Sequence, residues 1–383
     1  MNNAVEKNVE VGVEPSQKLG RTFGNHKIVD LTMLSWFLAD YLPMKLPKLF
    51  DSNLIVRPIQ EQGWSNYTFE VSGKLPGRYI VRMKACPTTN QAFDRNWSAY
   101  HKEAWIIATL GNRIPVAELI DEGIHYVGRK QGGREYAIMV QSHLECSGGH
   151  HLDPTSSKTQ FLRRIASVCK SINETPTKGY GNSFDPKTES FEFSTWQECL
   201  DEWIAECPLG ELVAREELSE AQATFFERRV HESLASLSFR PALFHGDLLL
   251  NWSNALVDPN GGIKGIIDWE FGGSGPAKYY ELMTALYVMI RDGMGGDELD
   301  SQYRIIKNAY GISSTRYDRD YRHAVDALMM MQACKKVKRY ILAELAGEME
   351  GHPWRQAFAA RARCLLHQLC AGQCAFQSTL LAA

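Results

Sequence analysis

Short hydrophobic runs with the composition of β-strands fill the first third of the chain. They are rich in β-branched and aromatic residues and are separated by glycine, proline and asparagine turns, as is typical of antiparallel sheets. The five runs are LIVRPIQ (54–60), YTFEVS (67–72), RYIVRMKA (78–85), AELIDEGIHYV (117–127) and YAIMVQSHL (136–144). The first three predict a meander, and the last two predict a hairpin that completes the sheet. Helical spacing predicts a helix of roughly ten residues from Thr32 and a prominent one over 97–111.

After residue 141 the apolar positions recur with a helical period along most of the chain. The predicted helices are QFLRRIASVCKSI, TWQECLDEWIAE, AQATFFERRVHESLASL, YYELMTALYVMIRD, YRIIKNAYG and DALMMMQACKKVKRYILAELA. The stretch NALVDPNGGIKGIIDW instead has short apolar runs around the tight turn DPNGG, which predicts a small β-hairpin. We therefore expect an α+β fold with a small antiparallel-sheet lobe over 28–141 and a larger, mainly helical lobe over 142–383. Residues 1–27 are polar and unpatterned, which predicts a loose arm.

Charge and cysteine content exclude several classes of protein. The net charge of −3 gives no reason to expect nucleic acid or an anionic membrane as a partner. Glu6, Glu10 and Glu14 interrupt the N-terminal segment where a secretory signal needs an apolar run. No later segment approaches the roughly 18 apolar residues of a membrane helix, so we expect a cytoplasmic protein. The nine cysteines form no CxxC pair and predict reduced, mostly buried thiols.

Two carboxylates near the predicted hairpin are candidates for catalysis. Asp247 follows the apolar run ALF and His245, and Asp268 ends the apolar run GII. Carboxylates at strand ends separated by a hairpin can converge on one spot, and with an asparagine between them they suit a Mg²⁺-bound nucleotide. Phosphate transfer needs a metal ion, a carboxylate that orients the acceptor hydroxyl and a cation on the phosphates. This block of sequence therefore predicts a phosphate-transfer site.

The same block resembles the aminoglycoside phosphotransferase and choline kinase-like small-molecule kinases, whose catalytic loop reads HGDLxxxN and is followed by an apolar strand and IDWE. This chain has HGDL at 245–248, NALVD at 254–258 and IIDWE at 266–270. The resemblance implies a bilobal protein-kinase-like fold that binds Mg²⁺. It implies that Asp247 is the catalytic carboxylate of a loop over 244–258, braced by His245. Asp268 would be the main Mg²⁺ ligand, in a metal-binding segment over 266–271.

Two positions depart from the family pattern. The family has its metal-binding asparagine five residues after the catalytic aspartate, where this chain has Trp252. Asn251 lies one residue early, whereas Asn254 lies two residues late but directly precedes the strand ALVD, as the family asparagine does. Both asparagines stay open as Mg²⁺ ligands. We favour Asn254, which requires a two-residue insertion in the loop relative to the family pattern. Farther on, Glu281 stands where the family has an aspartate that buttresses the catalytic loop.

The resemblance also implies a nucleotide site in the first lobe. EQGWSNYTFEV (61–71) resembles the family's turn over the phosphates, where Gly63 permits close backbone approach and Ser65 and Asn66 offer hydrogen-bond donors. The nucleobase, adenine or guanine, would meet the backbone of Met139, Val140 and Gln141. ATP and GTP are therefore both candidate phosphate donors.

A cation must reach the phosphates from the third strand. Arg82 and Lys84 share one face of that strand because side chains alternate along it, and the family pattern leaves both open. Glu103, on the following helix, matches the family glutamate that pairs with this cation. A solvated basic strand face is the alternative interpretation for either residue.

Acidic residues are concentrated just before the predicted catalytic loop. From Asp185 to Glu220 there are eleven acidic residues and two basic ones, Lys187 and Arg215. Such a segment would attract an amine-bearing alcohol, and it equally suits a solvated helix face. Trp196 and Trp203 could pack a quaternary ammonium group, although core packing is the better interpretation of both. No residue here chooses among antibiotic, choline-like and other alcohols.

The leading hypothesis is a kinase that moves the γ-phosphate of ATP or GTP to a hydroxyl of an amine-bearing or antibiotic-like small molecule, as a monomer or homodimer. One alternative is a catalytically silent nucleotide-binding scaffold, suggested by the shifted asparagine and the Arg82/Lys84 ambiguity. Another is a choline- or homoserine-type metabolic kinase. A kinase acting on proteins is disfavoured because the chain lacks an HRD motif and an APE-type segment.

Overall fold

The computed structural model describes residues 31–59, 67–72, 77–85, 90–120, 125–127, 136–148, 157–249, 254–312 and 319–375. The chain divides into two compact units. The first reaches Gly111 and resumes over Val116–Glu145, and the second consists of Asn112–Pro115 and the chain from Cys146 onward. Helix and antiparallel sheet occur together, as the predicted α+β class requires.

A five-stranded antiparallel sheet with the order β1-β2-β3-β5-β4 forms the centre of the first unit. Its strands are β1 (Ile55–Pro58), β2 (Tyr67–Ser72), β3 (Arg78–Ala85), β4 (His125–Val127) and β5 (Tyr136–Ser142). The predicted meander is confirmed, because β2 pairs with both β1 and β3. The predicted hairpin is present as β4 and β5, and β5 also pairs with β3.

The predicted strand over 117–127 is not continuous. Leu119 forms an isolated bridge with Gln141, whereas His125 of β4 pairs with Ile138. Leu119 and His125 are six positions apart, whereas their partners Gln141 and Ile138 are only three positions apart. A continuous antiparallel strand would have equal separations. The strand therefore ends after the bridge and resumes as β4.

Two helices accompany this sheet, α1 (Leu31–Lys45) and α2 (Asn90–Leu110). Leu34, Leu38 and Leu42 lie on one side of α1 because they are four residues apart, and they belong to the same buried core as the sheet residues Val81 and Met83. Helix α2 begins before the predicted start at 97. Its first turns, NQAFDRN, are mostly polar, so the hydrophobic period does not reveal them.

The second unit contains eight helices within the described residues. They are α3 (Ser157–Asn173), α4 (Trp196–Ala205), α5 (Leu209–Ala214), α6 (Glu220–Ala235), α7 (Ala277–Arg291), α8 (Gly296–Ala309), α9 (Arg319–Leu345) and α10 (Pro353–Cys370). The hydrophobic pattern predicts six of these and misses the short α5 and the C-terminal α10. The eight cysteines that lie in the described ranges are free thiols, five of them buried, as predicted.

Two small antiparallel sheets complete the second unit. One has the order β11-β10-β6 and the other β8-β7-β12-β9. The strands are β6 (Ser147–Gly148), β7 (Tyr180–Asp185), β8 (Ser190–Phe193), β9 (Ala242–Phe244), β10 (Ala255–Val257), β11 (Ile263–Ile266) and β12 (Gly273–Gly275). Strands β10 and β11 are the predicted DPNGG hairpin, but β9 lies in the other sheet. The β7–β8 hairpin was not predicted, since its segment is dominated by polar residues.

The DPNGG turn is closed by its own aspartate. One carboxylate oxygen of Asp258 accepts hydrogen bonds from the backbone N–H groups of Asn260 and Gly262, at 2.9 and 2.8 Å. Asp and Asn side chains stabilise turns through such local bonds. The hairpin is thus fixed by local sequence.

None of the helices in the described ranges is long and apolar enough to cross a membrane.

Candidate active site

His245 lies at the start of the loop that follows β9, and it is fully buried. Its Nε2 lies 3.0 Å from the carbonyl oxygen of Ile267, and its Nδ1 lies 3.3 Å from the backbone nitrogen of Asp247. Burial lowers the pKa of His245 to about 4, so the ring is neutral at pH 7. A neutral ring protonated on Nε2 donates to Ile267 and accepts from Asp247. The imidazole therefore ties the loop to the chain just before Asp268, which supports its predicted role as a brace.

Gly246 gives the loop a backbone conformation that other residues rarely adopt. Its φ is +80°, and a Cβ atom at this position would lie 2.6 Å from the carbonyl oxygen of Phe271. Only glycine combines a left-handed φ with room for this close approach. The turn that presents Asp247 thus depends on the glycine of the HGD motif.

Substituting Gly246 with alanine is expected to destabilise the protein. The strained φ and the contact with a backbone atom predict a loss of about 1–3 kcal/mol, measured as the change in free energy of urea unfolding. Gly210, in α5, is the control, because a Cβ atom there meets nothing within 4 Å. Equal stability of Gly246→Ala and Gly210→Ala would contradict this account of the loop.

Glu281, in α7, holds the same loop from the other side. One oxygen of its buried carboxylate accepts hydrogen bonds from the backbone N–H groups of His245 and Gly246, at 2.7 and 3.2 Å. The hydroxyl of Thr284 approaches the second oxygen at 3.4 Å. Burial raises the pKa of Glu281 to about 7, and the hydrogen bonds oppose this increase. The glutamate thus makes the loop contacts that the resemblance assigns to a buttressing carboxylate.

Asp247, which this loop presents, is half-buried. Asn254 donates a hydrogen bond from Nδ2 to Oδ2 of Asp247 at 3.0 Å. Burial, followed by the charges of Asp268 and Glu270, raises the pKa of Asp247 to about 6. The charge of Asp268 is thus one cause of the raised pKa of Asp247.

The hairpin register brings Asp268 to this site. The backbone N–H of Ile267 donates to the carbonyl oxygen of Asn254 at 3.0 Å, which continues the β10–β11 pairing by one residue. Asp268 comes next and has a left-handed backbone conformation, with φ +65° and ψ 61°. Asn254 therefore connects the two acids, with its backbone next to Asp268 and its side chain on Asp247.

The side chains at this position suit a hard divalent cation. Asp268 and Asn254 provide carboxylate and amide oxygens, the ligand types that Mg²⁺ prefers. Within the described ranges no group of three or more His, Cys, Asp and Glu residues forms a complete metal cage. Mg²⁺ usually takes one or two carboxylates and completes its shell with water and substrate phosphates, so the incomplete set fits. Asn251 and Trp252 lie outside the described residues, and the choice between Asn251 and Asn254 stays a prediction.

In the first unit, the structure pairs the predicted cation with the predicted glutamate. The guanidinium of Arg82 forms a salt bridge with Glu103, and both side chains are buried. The Arg82 guanidinium also lies 5.7 Å from the centre of the Tyr100 ring. Lys84 is half-buried on the same strand, and its role stays open. The predicted phosphate-turn residues Gly63, Ser65 and Asn66 lie outside the described residues.

Met139, Val140 and Gln141 lie inside β5, where the backbone is paired on both edges. One edge pairs with β3, and on the other the carbonyl of Val140 accepts the N–H of Ile120 at 3.1 Å. A nucleobase contact at these three residues stays a prediction.

Several members of the acidic segment 185–220 have partners inside the second unit. Glu206, Glu211 and Glu217 form salt bridges with Lys335, Lys338 and Arg363. Glu198 caps the start of α4, and Asp185 closes the β7–β8 turn. These five acids are thus used by the fold. Of the other six, Asp201 and Glu202 lie on the exposed face of α4 and stay candidates for the predicted amine site, and Asp201 also accepts a hydrogen bond from Gln197 at 2.7 Å.

The tryptophans of α4 belong to the core. Trp196 is 9% exposed and donates its indole N–H to the carbonyl of Leu234, and Trp203 is 5% exposed. Their rings pack edge to face at 5.5 Å. The core interpretation of these two residues is therefore supported, and they offer little surface to a ligand.

Lys336, in α9, is a charged neighbour of Asp247 that sequence reasoning missed. Its amine is half-buried, and burial lowers its pKa to about 8 while Asp247 opposes the shift. It stands in the basic stretch KKVKR, far from the HGD motif in sequence. The pattern shows a basic helix turn but gives no sign that the charge of this lysine influences Asp247.

The fold and this loop define a phosphotransferase of the two-lobed kinase type. The chain belongs to the phosphotransferase enzyme family, whose sequence profile matches residues 56–325. This match covers most of the chain and confirms the predicted family and enzyme class. No curated protein matches the sequence.

Solved structures of small-molecule kinases share the fold. A thermostable mutant of aminoglycoside phosphotransferase APH(4)-Ia is 15% identical, with a TM-score of 0.58 over 87% of this chain and 98% of that one. Amicoumacin kinase hAmiN is 15% identical, with a TM-score of 0.57 over 84% and 89%. A microcompartment-associated aminopropanol kinase is 16% identical, with a TM-score of 0.56 over 90% and 98%. These similarities confirm the predicted protein-kinase-like fold.

Proposed function

We propose that this protein is a small-molecule kinase that transfers the γ-phosphate of ATP or GTP to a hydroxyl group. The observation that carries the proposal is the position of Asp247. It sits on a loop held by His245 and Glu281, and it contacts Asn254 beside a second carboxylate, Asp268. A rigidly held carboxylate next to a cation site is what phosphate transfer to an alcohol requires.

Each of these residues has its own proposed role in the reaction. Asp247 accepts a hydrogen bond from the acceptor hydroxyl and takes its proton as the hydroxyl oxygen bonds to the γ-phosphorus and the bond from that phosphorus to the nucleoside diphosphate breaks. Asp268 and Asn254 would hold Mg²⁺, which neutralises the charge of the phosphate oxygens when it is bound. Arg82, oriented by Glu103, would bind the donor phosphates. Structures of fold relatives contain AMP-PNP, in one case with Ca²⁺, which supports ATP as the donor.

The acceptor class is proposed as an amine-bearing or antibiotic-like alcohol. Fold relatives are named for kinase activity on aminoglycosides, amicoumacin and aminopropanol, which supports this class by analogy of fold. Asp201 and Glu202, on the exposed face of α4, are acids that could meet an amine. A metabolic kinase of the choline or homoserine type fits the same residues, because phosphate transfer to its substrate also needs an oriented hydroxyl group.

Asp268→Ala is expected to weaken binding of the Mg²⁺-nucleotide complex by at least the roughly tenfold that removal of an outer-shell partner costs. The reason is the loss of a carboxylate ligand of the cation. Calorimetric titration with ATP in Mg²⁺ and in EDTA checks it, since affinity in EDTA should not fall. Asp297→Ala, an exposed acid at the start of α8, is the control. Equal losses in Mg²⁺ and EDTA would contradict a metal role.

One screen tests the whole proposal. Wild-type protein is incubated with Mg-ATP or Mg-GTP and a panel of amine-bearing, anionic and neutral alcohols, and phosphate esters are detected by ³¹P NMR. Ester formation with one class identifies both donor and acceptor. If nucleotide binds but no alcohol is phosphorylated, the silent-scaffold alternative is favoured.

A further inference from the structure

Trp269 directly follows the candidate metal ligand Asp268 and is almost completely buried. It begins a short 3₁₀-helix, Trp269–Phe271, and only 1% of its surface is exposed. An indole without accessible surface cannot contact a nucleotide or an acceptor. Any part that Trp269 takes in the reaction is therefore exerted through the residues that its ring touches.

The indole packs on the imidazole of His245, which braces the catalytic loop. The two ring centres lie 4.4 Å apart, with 44° between the ring planes. The indole N–H of Trp269 donates to the carbonyl oxygen of Ile266 at 3.3 Å. The next carbonyl oxygen, that of Ile267, lies 3.0 Å from Nε2 of His245. The two rings are thus bonded to consecutive peptide groups of the strand end that leads to Asp268.

The strand end that carries both rings is itself held on two sides. The backbone N–H of Ile266 donates to the carbonyl oxygen of Pro115 at 2.9 Å, and that of Ile267 donates to the carbonyl oxygen of Asn254 at 3.0 Å. Pro115 belongs to the second unit, like the rest of this cluster. A change at Trp269 is therefore expected to disturb His245 more than the strand.

The polar contacts of His245 require one tautomer and one orientation of its ring. A carbonyl oxygen can only accept, so Nε2 must carry the proton that is donated to Ile267. Nδ1 can then accept from the backbone N–H of Asp247, at 3.3 Å. Turning the imidazole over would replace both nitrogens with carbon atoms and break both bonds. The ring of Trp269 hinders this rotation, because buried rings in contact are close-packed.

Building on the proposed function, we propose that Trp269 is a positioning residue for phosphate transfer. It holds the His245 ring in the orientation that accepts the Asp247 N–H, and it is covalently joined to Asp268. One side chain thus keeps the carboxylate that orients the hydroxyl in register with the carboxylate that would hold Mg²⁺. A misplacement of 1 Å in a reacting geometry can cost about 100-fold in rate.

Steady-state kinetics and nucleotide titration of Trp269→Leu and Trp269→Phe test this role. Leucine removes the ring, so kcat should fall about 100-fold, while KM for the acceptor and the affinity for Mg²⁺-nucleotide stay near their wild-type values. Phenylalanine keeps a ring against His245 but loses the indole N–H, so kcat should fall only about tenfold. Equal losses in kcat and kcat/KM mark an interaction that is made only in the transition state.

Histidine ¹⁵N NMR at pH 7 gives a readout that does not depend on turnover. In wild type, His245 should show one tautomer, with the proton on Nε2. In Trp269→Leu it should show a mixture of the two tautomers, because the imidazole can turn over. The spectrum of His245→Gln identifies the signal.

Trp196→Leu and Trp196→Phe are the matched controls. Trp196 is 9% exposed, and its indole N–H also donates to a backbone carbonyl oxygen. The rings that it packs against lie outside the catalytic loop, and they are Tyr180, Trp203 and Phe239. The Trp196 variants should lose stability and keep the wild-type kcat. Nucleotide binding of each variant verifies folding.

Three results would overturn the inference. They are a wild-type kcat in Trp269→Leu, an equal loss of kcat in the Trp196 variants, and a single His245 tautomer in Trp269→Leu. If Trp269→Leu does not fold, Trp269→Phe decides, since a wild-type kcat in that variant overturns the inference as well. If wild type phosphorylates no alcohol, the proposed function is contradicted, and the NMR spectra still decide whether Trp269 orients His245.

Discussion

Asp247→Asn is expected to reduce phosphate transfer by about 10²- to 10⁴-fold, the range that a positioned acid–base group contributes. Asparagine has the shape of aspartate and can keep a contact with Asn254, but it cannot accept a proton. Binding of Mg²⁺-nucleotide should persist, since Asp268 and Asn254 are intact. Initial rates with the best acceptor from the screen, together with nucleotide titration, measure the two effects separately.

Asp297→Asn is the control for this prediction, and Asp201→Asn is a second comparison. Asp297 is exposed and far in sequence from the loop, so its variant should keep wild-type rates. Asp201 tests the amine site, and its variant should change only KM for amine-bearing acceptors. If the Asp247→Asn variant transfers phosphate at the wild-type rate, Asp247 takes no part in the reaction. Loss of nucleotide affinity alone would instead assign it to the metal.

A silent scaffold and an enzyme make different demands on this loop. A protein that only binds nucleotide needs the cation ligands but gains nothing from a carboxylate held by buried contacts on both sides. His245 and Glu281 are both fully buried and both contact the loop around Asp247. Burying two ionisable side chains is costly. The hydrogen bonds that His245 and Glu281 form with the loop backbone hold the part of the loop that carries Asp247. The arrangement favours catalysis.

Local sequence explains why the hairpin and its acids could be predicted. Asp258 closes the DPNGG turn by itself, and the β10–β11 register then carries Asp268 next to Asn254. The HGD motif requires glycine because of its positive φ. Each of these features depends on residues close together in the chain, which a sequence pattern can show.

Features that depend on distant residues were not predictable from the pattern. Nothing near Glu206 or Glu211 shows that lysines of α9, over 120 positions later, pair with them. The acidic segment consequently looked free for a ligand when part of it holds helices together. Lys336 is the opposite case, because a lysine in a basic turn looks solvated, whereas its charge lowers the pKa of Asp247.

Removal of the Glu281 carboxylate should destabilise the second unit strongly. In Glu281→Ala, the buried N–H groups of His245 and Gly246 lose their acceptor. Each unpaired group costs about 1–3 kcal/mol, so we expect a loss of about 2–6 kcal/mol in the free energy of urea unfolding. Phosphate transfer should fall too, as the loop loses one of its two supports. Glu232→Ala, on the exposed face of α6, is the control.

Glu281→Gln separates the hydrogen bonds from the charge. Glutamine keeps the accepting oxygen, so it should retain most of the stability that alanine loses. In wild type the pKa of Glu281 is raised from 4.5 to about 7 on folding, so the folded state binds the proton more tightly. Its contribution to stability is therefore fully present below pH 4.5 and is lost as pH rises toward 7.

Glutamine cannot ionise, so the Gln variant lacks this loss. Between pH 5 and pH 8, the stability of Glu281→Gln relative to wild type should increase by about 2–3 kcal/mol. Urea unfolding at both pH values measures the difference, with Glu232→Gln as the control. A relative stability that is independent of pH would mean that Glu281 is ionised in the folded protein at both pH values. The loop would then be held by a charged buttress, whose hydrogen bonds to His245 and Gly246 outweigh the cost of burial.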